Sequence, residues 1–203
     1  MTLGPNELQA LHQVADWIRD EIEESGHLVT KATGLHPAFD ETDEIASAMV
    51  RSLVLVGARQ GALDAGLTPT RAHNGWDLVW SEAGTYRKYR IKKARKGRDG
   101  VFEMLVGTNS ALTKAVPESL IGEEQWVLGY TVSTDQAIQD VFAAKILGVT
   151  DHKVPQLVLG STLLLGSGGT PPRGGKFTSD DEDFLPGFGD QDLEHDRAAG
   201  SAA

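Results

Sequence analysis

"WDLVWSEAGTYRKYRIKK", Trp76 to Lys93, is where the hydrophobic pattern of this chain changes period, and its reading decides the fold. Trp76, Leu78 and Trp80 alternate with Asp77 and Val79, the two-residue period of a half-buried strand. Glu82, Ala83 and Gly84 make a turn, and alternation resumes at Tyr86. Because successive side chains of a strand point to opposite faces, Tyr86, Lys88, Arg90 and Lys92 line one side. Arg87, Tyr89, Ile91 and Lys93 line the other.

Upstream the period is helical. Leu8, Leu11, Val14, Ile18 and Ile22 recur at three- and four-residue steps, predicting a helix over 5–25 with Gly26 as its stop. A polar connection follows, and Pro37 argues against helix through it. A second helix is expected from Asp40 to Gly66, with Ile45, Met49, Leu53, Val56 and Leu63 inward and Gly66 as its C-terminal cap. "LTPTRAHNG" reads as an irregular connector.

Downstream, Tyr86 to Ala94 and Val101 to Val106 read as the arms of a hairpin around "RKGRDG". "QWVLGYTVS" is a further strand, and "IQDVFAAKILGV" is read as another leading into "VPQLVLG", although Ser133 and Gln136 could also cap a helix there. The fold class expected is α+β: two N-terminal helices, a mainly antiparallel meander sheet and a disordered acidic C-terminal tail. The expected division is a helical segment over 1–70 packed on the sheet, a β-rich domain over 71–166, and a Gly/Pro linker with acidic tail over 167–203.

Composition narrows the chemistry. The chain of 203 residues has no cysteine, which excludes disulfides, thiolate zinc sites and cysteine nucleophiles and makes a reducing compartment the default. The N-terminus lacks a basic region followed by an apolar stretch, so no secretory signal is expected. The most apolar run, Val154 to Gly166, is too short for a membrane-crossing helix. A soluble, cytoplasmic protein is expected.

No motif assigns a catalytic residue, metal ligand or cofactor. The histidines His12, His27, His36, His73, His152 and His195 are far apart, and His36 with Asp40 and Glu44 is the nearest to a cluster. "GARQGALDAG" lies inside a helical pattern and is not a phosphate loop. A third reading is a metal-dependent nuclease, with Asp77 on one strand and an acid-x-Lys pair on its neighbour, although Arg90 stands two places before Lys92 where that pair needs an acid.

The feature that asks for an explanation is charge. Of 19 Lys and Arg residues, eight fall between Thr85 and Gly100, in a chain of formal net charge -10. Arg87, Lys88, Arg90, Lys92, Lys93, Arg95, Lys96 and Arg98, with Tyr86 interleaved, are therefore the candidate nucleic-acid-binding residues, single strands favoured. Tyr89, Trp76, Trp80 and Phe102 lie on the same or adjacent strands as possible stacking platforms. The bland alternative is a solvated strand face whose charges guard a sheet edge.

In the tail, "DDEDFLPGF" sets Asp181 and Asp183 beside Phe184, Leu185 and Phe188, a candidate partner-docking motif in which charge steers and aromatics anchor. A basic β-domain, a Gly/Pro linker and an acidic–aromatic tip together resemble the layout of single-stranded DNA-binding proteins. In that family the tip recruits partners and competes with DNA for the basic face. Here "GDQDLEHDRAAGSAA" follows the tip and two helices precede the sheet, and that family has neither. The expected function is a non-enzymatic nucleic-acid-binding or regulatory accessory protein. The alternative is a protein–protein adaptor or assembly component of a bacterial or phage system, without nucleic-acid binding.

Overall fold

The computed structural model describes residues 3–41, 43–72, 75–82, 84–106 and 123–166. Helix α1 spans Pro5–Thr33, with Gly4 as its N-cap and Pro5 in the first turn, where a missing N–H costs nothing. It runs well past Gly26, the expected stop. Ile22, Val29 and Thr33 continue the buried stripe beyond that glycine, and Gly34 closes the helix. Burial of one face outweighs the roughly 1 kcal/mol that an interior glycine costs. The short helix α2 (Pro37–Asp40) is capped by the His36 ring, which accepts from the Ala38 N–H.

Helix α3 spans Asp43–Asp64, and its inward face differs from the expected one. Met49 and Leu53 pack against the core as expected, but the buried positions are Ala46, Val50, Val54, Gly57, Ala58, Gly61 and Ala62, whereas Ile45, Val56 and Leu63 are exposed. Small residues won this face because they let two helix backbones approach closely. A Cβ on Gly57 would sit 2.6 Å from the Trp17 carbonyl oxygen, and one on Gly61 would sit 2.9 Å from the Val14 Cα. As α3 advances from Gly57 to Gly61 its neighbours on α1 recede, so the two helices run antiparallel. Gly66, at φ +79°, ends α3 as expected, with the Leu67 N–H donating back to the Ala62 carbonyl.

The strands are β1 (Thr68–Ala72), β2 (Gly75–Glu82), β3 (Thr85–Lys93), β4 (Arg95–Lys96), β5 (Phe102–Glu103), β6 (Glu123–Val132), β7 (Ile138–Val149), β8 (Leu157–Leu159) and β9 (Leu163–Leu165). The main sheet has the order β1-β2-β3-β6-β7-β8, with β9 also paired to β7. Its pairings are antiparallel except β3 with β6, which is parallel. The α+β class holds, with helices followed by a mostly antiparallel mixed sheet; the parallel pair means it is not a simple meander.

Two local readings need correction. "LTPTRAHNG" supplies edge strand β1 in its first half, because ladder bonds to β2 override its poor strand propensity. The expected long hairpin around "RKGRDG" shrinks to the two-residue pair β4–β5, since β3 finds its partners in β2 and β6. The strand reading of residues 138–149 stands.

Each sheet face carries a core. Beneath the helices lie Leu78, Tyr89, Ile91, Trp126, Leu128, Tyr130, Val141 and Ala143, packed with Leu11, Val14, Ile18 and Val54. On the opposite face Met104 and Val106 cover Val127, Phe142, Ala144 and Ile146, and Phe102 stacks on Phe142 with ring centroids 4.0 Å apart. Gly129 makes room for that layer, since a Cβ there would collide with the Phe142 ring and the Met104 methyl. At the sheet edge, Arg19 donates to the Leu165 carbonyl at 2.9 Å and the Gly166 N–H donates to His12 Nδ1 at 3.0 Å, fastening β9 to α1. Among the described residues no helix is long and apolar enough to cross a membrane.

Candidate functional site

The basic strand β3 is built as the alternation predicts, and its two faces meet different chemistry. Arg87, Tyr89 and Ile91 point toward the helices and are buried. Arg87 bonds Glu7, on the first turn of α1, and also donates through Nε to Glu124 at 2.6 Å. The Tyr89 hydroxyl donates to Glu7 Oε1 at 2.6 Å. Glu124 further accepts from Lys145 Nζ at 2.9 Å and from the Trp126 indole at 3.2 Å. Two carboxylates and two cations are thereby balanced across α1, β3, β6 and β7.

Burial alone would raise the Glu124 carboxyl, but hydrogen bonds from Arg87, Lys145 and Trp126 overcome it and hold the group at about 2. Desolvation works against the Arg87 charge, yet Glu124 and Glu7 raise its pKa above the ordinary value. Burial first, then the bond to Glu7, pushes the Tyr89 phenol well up. All three shifts keep the network in the protonation state its geometry requires.

On the opposite face Arg90 stands directly across from Asp77 in the β2–β3 ladder. It grips both carboxylate oxygens, each at 2.9 Å, while Lys88 lies 3.4 Å from Oδ2. The carboxylate that a nuclease reading would use is thus held by the arginine standing where that chemistry needs an acid. Lys92, further along this face, has its pKa lowered by desolvation and by Arg90 and Arg51.

The remaining members of the run are at its end. Lys93 reaches Ser47 at 3.3 Å, Lys96 bonds Asp140 at 3.1 Å, and Arg95 and Arg98 are exposed around the β4–β5 turn. Of the four aromatic rings considered for base stacking, Tyr89 is fully buried and Trp76 and Trp80 pack on the helix-side core. Phe102 is in the second core, so only Tyr86, at 37% exposure, presents a ring from this strand. The partner-docking residues Asp181, Asp183, Phe184, Leu185 and Phe188 lie outside the described residues.

Sequence reasoning missed both the role of Glu7 and a groove beside Trp76. Glu7 stands in the first turn of α1, where an acid needs no special explanation, and nothing local names a partner 80 positions away. The groove, of about 390 Å³, has the outer side of α3 and Trp76 as its walls, with the Arg59 guanidinium 5.1 Å above the indole. Its signal was present in "GARQG", since small residues four apart announce a close helix contact that turns the larger residues outward. Among the described residues no group of three or more His, Asp or Glu side chains is placed to hold a metal ion. No protein-family model, curated protein or solved structure matches this chain.

Proposed function

We propose that this chain is a non-enzymatic protein–protein adaptor or assembly component, in which the basic strand is mainly internal glue. The observation that carries the reading is the fate of the cations. Arg87, Lys88, Arg90 and Lys96 each bond a carboxylate of the chain itself, and the neighbouring aromatics fill cores. A phosphate backbone would have to compete with those carboxylates. Meanwhile large apolar side chains stand at the surface, among them Leu35, Val56, Leu63 and Leu147, each more than half exposed. Of these, Val56 and Leu63 line one groove beside Trp76, and clustered apolar exposure of that kind marks docking surfaces more often than chemistry. In this reading the acidic–aromatic segment with Asp181, Asp183, Phe184, Leu185 and Phe188, outside the described residues, is a separate docking motif.

A nucleic-acid reading keeps one specific support. Among the described residues Lys92, Lys93, Arg95 and Arg98 form no ion pair with a carboxylate, and Tyr86 is accessible beside them. That reading predicts single-strand binding whose log–log salt slope is about −0.7 per phosphate neutralised, abolished by Arg95→Glu with Arg98→Glu.

Affinity purification of the full chain from its native source, with and without nuclease digestion, separates the two. Protein partners that survive digestion support the adaptor. Co-purifying nucleic acid, with every protein lost on digestion, overturns it.

A further inference from the structure

The outer face of α3 carries the residues that close helix packing turned away from the core. Val56 and Leu63 are 54% and 53% exposed, and with Leu55, Arg59, Gln60 and Trp76 they line the groove of about 390 Å³. Leu55, Val56, Leu63 and Trp76 are the apolar part of the lining, and Ser52, Arg59 and Gln60 the polar part. An isolated exposed valine or leucine needs no explanation, but two of them in one concave site with Leu55 and a tryptophan concentrate apolar surface there.

The rim is cationic. Arg59 covers the Trp76 indole, and Arg71 stands directly across from Trp76 in the β1–β2 ladder, which places it on the same face. Arg51 reaches the same end, its Nη2 lying 3.6 Å from where a Gly75 Cβ would be. From Arg51 to Leu63 the helix has two arginines and no acid. The next acid, Asp64, already accepts from Gln60 at 3.1 Å. Asp77, next to Trp76 in sequence, projects to the other face, where Arg90 holds it.

A locally positive apolar groove on a chain of net charge -10 is complementary to one kind of partner. We infer that this groove binds an acidic peptide segment of a partner protein, bearing an aliphatic or aromatic anchor. The anchor sits between Val56 and Leu63 against Trp76, and the flanking carboxylates meet Arg59 and Arg71. A second copy of this chain is disfavoured by like-charge repulsion between two strongly acidic molecules. A nucleic acid is disfavoured because the groove offers, besides Trp76, no ring on which successive bases could stack. The inference rests on the protein-binding reading above and gives it a place and a partner chemistry.

The test is unbiased selection of a displayed random-peptide library on the immobilised full chain. The enriched sequences should be rich in Asp and Glu around a Leu, Ile, Phe or Trp. A synthetic copy of the most enriched peptide should lose about tenfold or more in affinity on Val56→Asp or Arg59→Glu, and should weaken as salt rises. Both positions are exposed, so unchanged melting temperatures certify that the variants fold. Any one of four results overturns the inference: no enrichment, enriched peptides without acids, binding indifferent to both substitutions, or displacement of the peptide by an unlabelled single-stranded oligonucleotide. If native protein partners survive nuclease digestion and are still captured by both variants, the adaptor reading stands and the groove assignment falls.

Discussion

The two faces of strand β3 carry the same residue types under different burial, and they form different devices. Toward the helices, Arg87 and Glu7 have side chains 7% and 1% exposed, and their network ties together α1, β3, β6 and β7. Away from the helices, Arg90 and Lys88 are 26% and 34% exposed and share one carboxylate, Asp77, across adjacent strands. The first device joins segments far apart in the chain. The second reinforces a hairpin that the β2–β3 ladder already holds. A charge run is therefore not one feature; alternation divides it, and what packs on each face decides its use.

The largest effect that this comparison predicts is at Arg87. Arg87→Met leaves Glu7 buried with, among the described residues, only Tyr89 and the Gly4 N–H as donors, and removes one of the two cations facing Glu124. Breaking a buried pair from one side costs about 3–5 kcal/mol. Urea denaturation should show a loss of that order. Adding Glu7→Gln should recover part of it, so that the double variant loses less than the sum of the singles. A loss below about 1 kcal/mol would mean that the network does not secure α1.

Acid should reach the same network next. The Glu124 carboxyl is held at about 2, below its ordinary value near 4.5. A depressed folded-state pKa contributes stability that is present above the unfolded value and is lost as pH falls through the folded one. The contribution, on the order of 3 kcal/mol, should be nearly complete above pH 4.5 and should fade between about 4.5 and 2. Melting temperatures recorded across that window should fall less steeply for Glu124→Gln than for the natural chain. Parallel curves would show that Glu124 is not held low.

On the opposite face, Arg90→Gln removes two hydrogen bonds from Asp77 but leaves Lys88 in place. Charged hydrogen bonds of this kind contribute about 1.5–3 kcal/mol, discounted here because solvent screens a quarter-exposed guanidinium. The expected loss in urea is about 1–2 kcal/mol, clearly smaller than at Arg87. A loss equal to that of Arg87→Met would erase the distinction between the faces.

What the sequence made legible follows from how local each signal is. The period change at Trp76 placed β2 and β3 and put Arg87 beside Tyr89 and Ile91, because alternation is a property of neighbouring residues. The apolar stripe of α1 was read for the same reason. The inner face of α3 was misread because hydrophobic size suggested Val56 and Leu63, whereas backbone approach at Gly57 and Gly61 selected the small residues. β1 and the parallel β3–β6 pair depend on contacts between distant segments and leave no local trace. The bond from Arg87 to Glu7 was invisible for that reason as well, and with it the use to which much of the basic run is put.

The smallest effect should be at the exposed end of the run. Among the described residues Lys93 bonds only the Ser47 hydroxyl, and Arg98 lies in the β4–β5 turn, both open to water. Lys93→Glu with Arg98→Glu replaces two cations by two anions on a chain already at net charge -10, so some loss through self-repulsion is expected. Water and counter-ions screen exposed charges within about 10 Å at 0.1 M salt, so the loss should shrink as salt is added. A change in melting temperature of about 2 °C or less at moderate ionic strength is the expected reading, consistent with about 0.5 kcal/mol. If the pair instead costs as much as Arg90→Gln and resists salt, the free end of the run is bound into the fold. In that case Lys92 and Arg95 would be the cations of the run left, among the described residues, to offer a ligand.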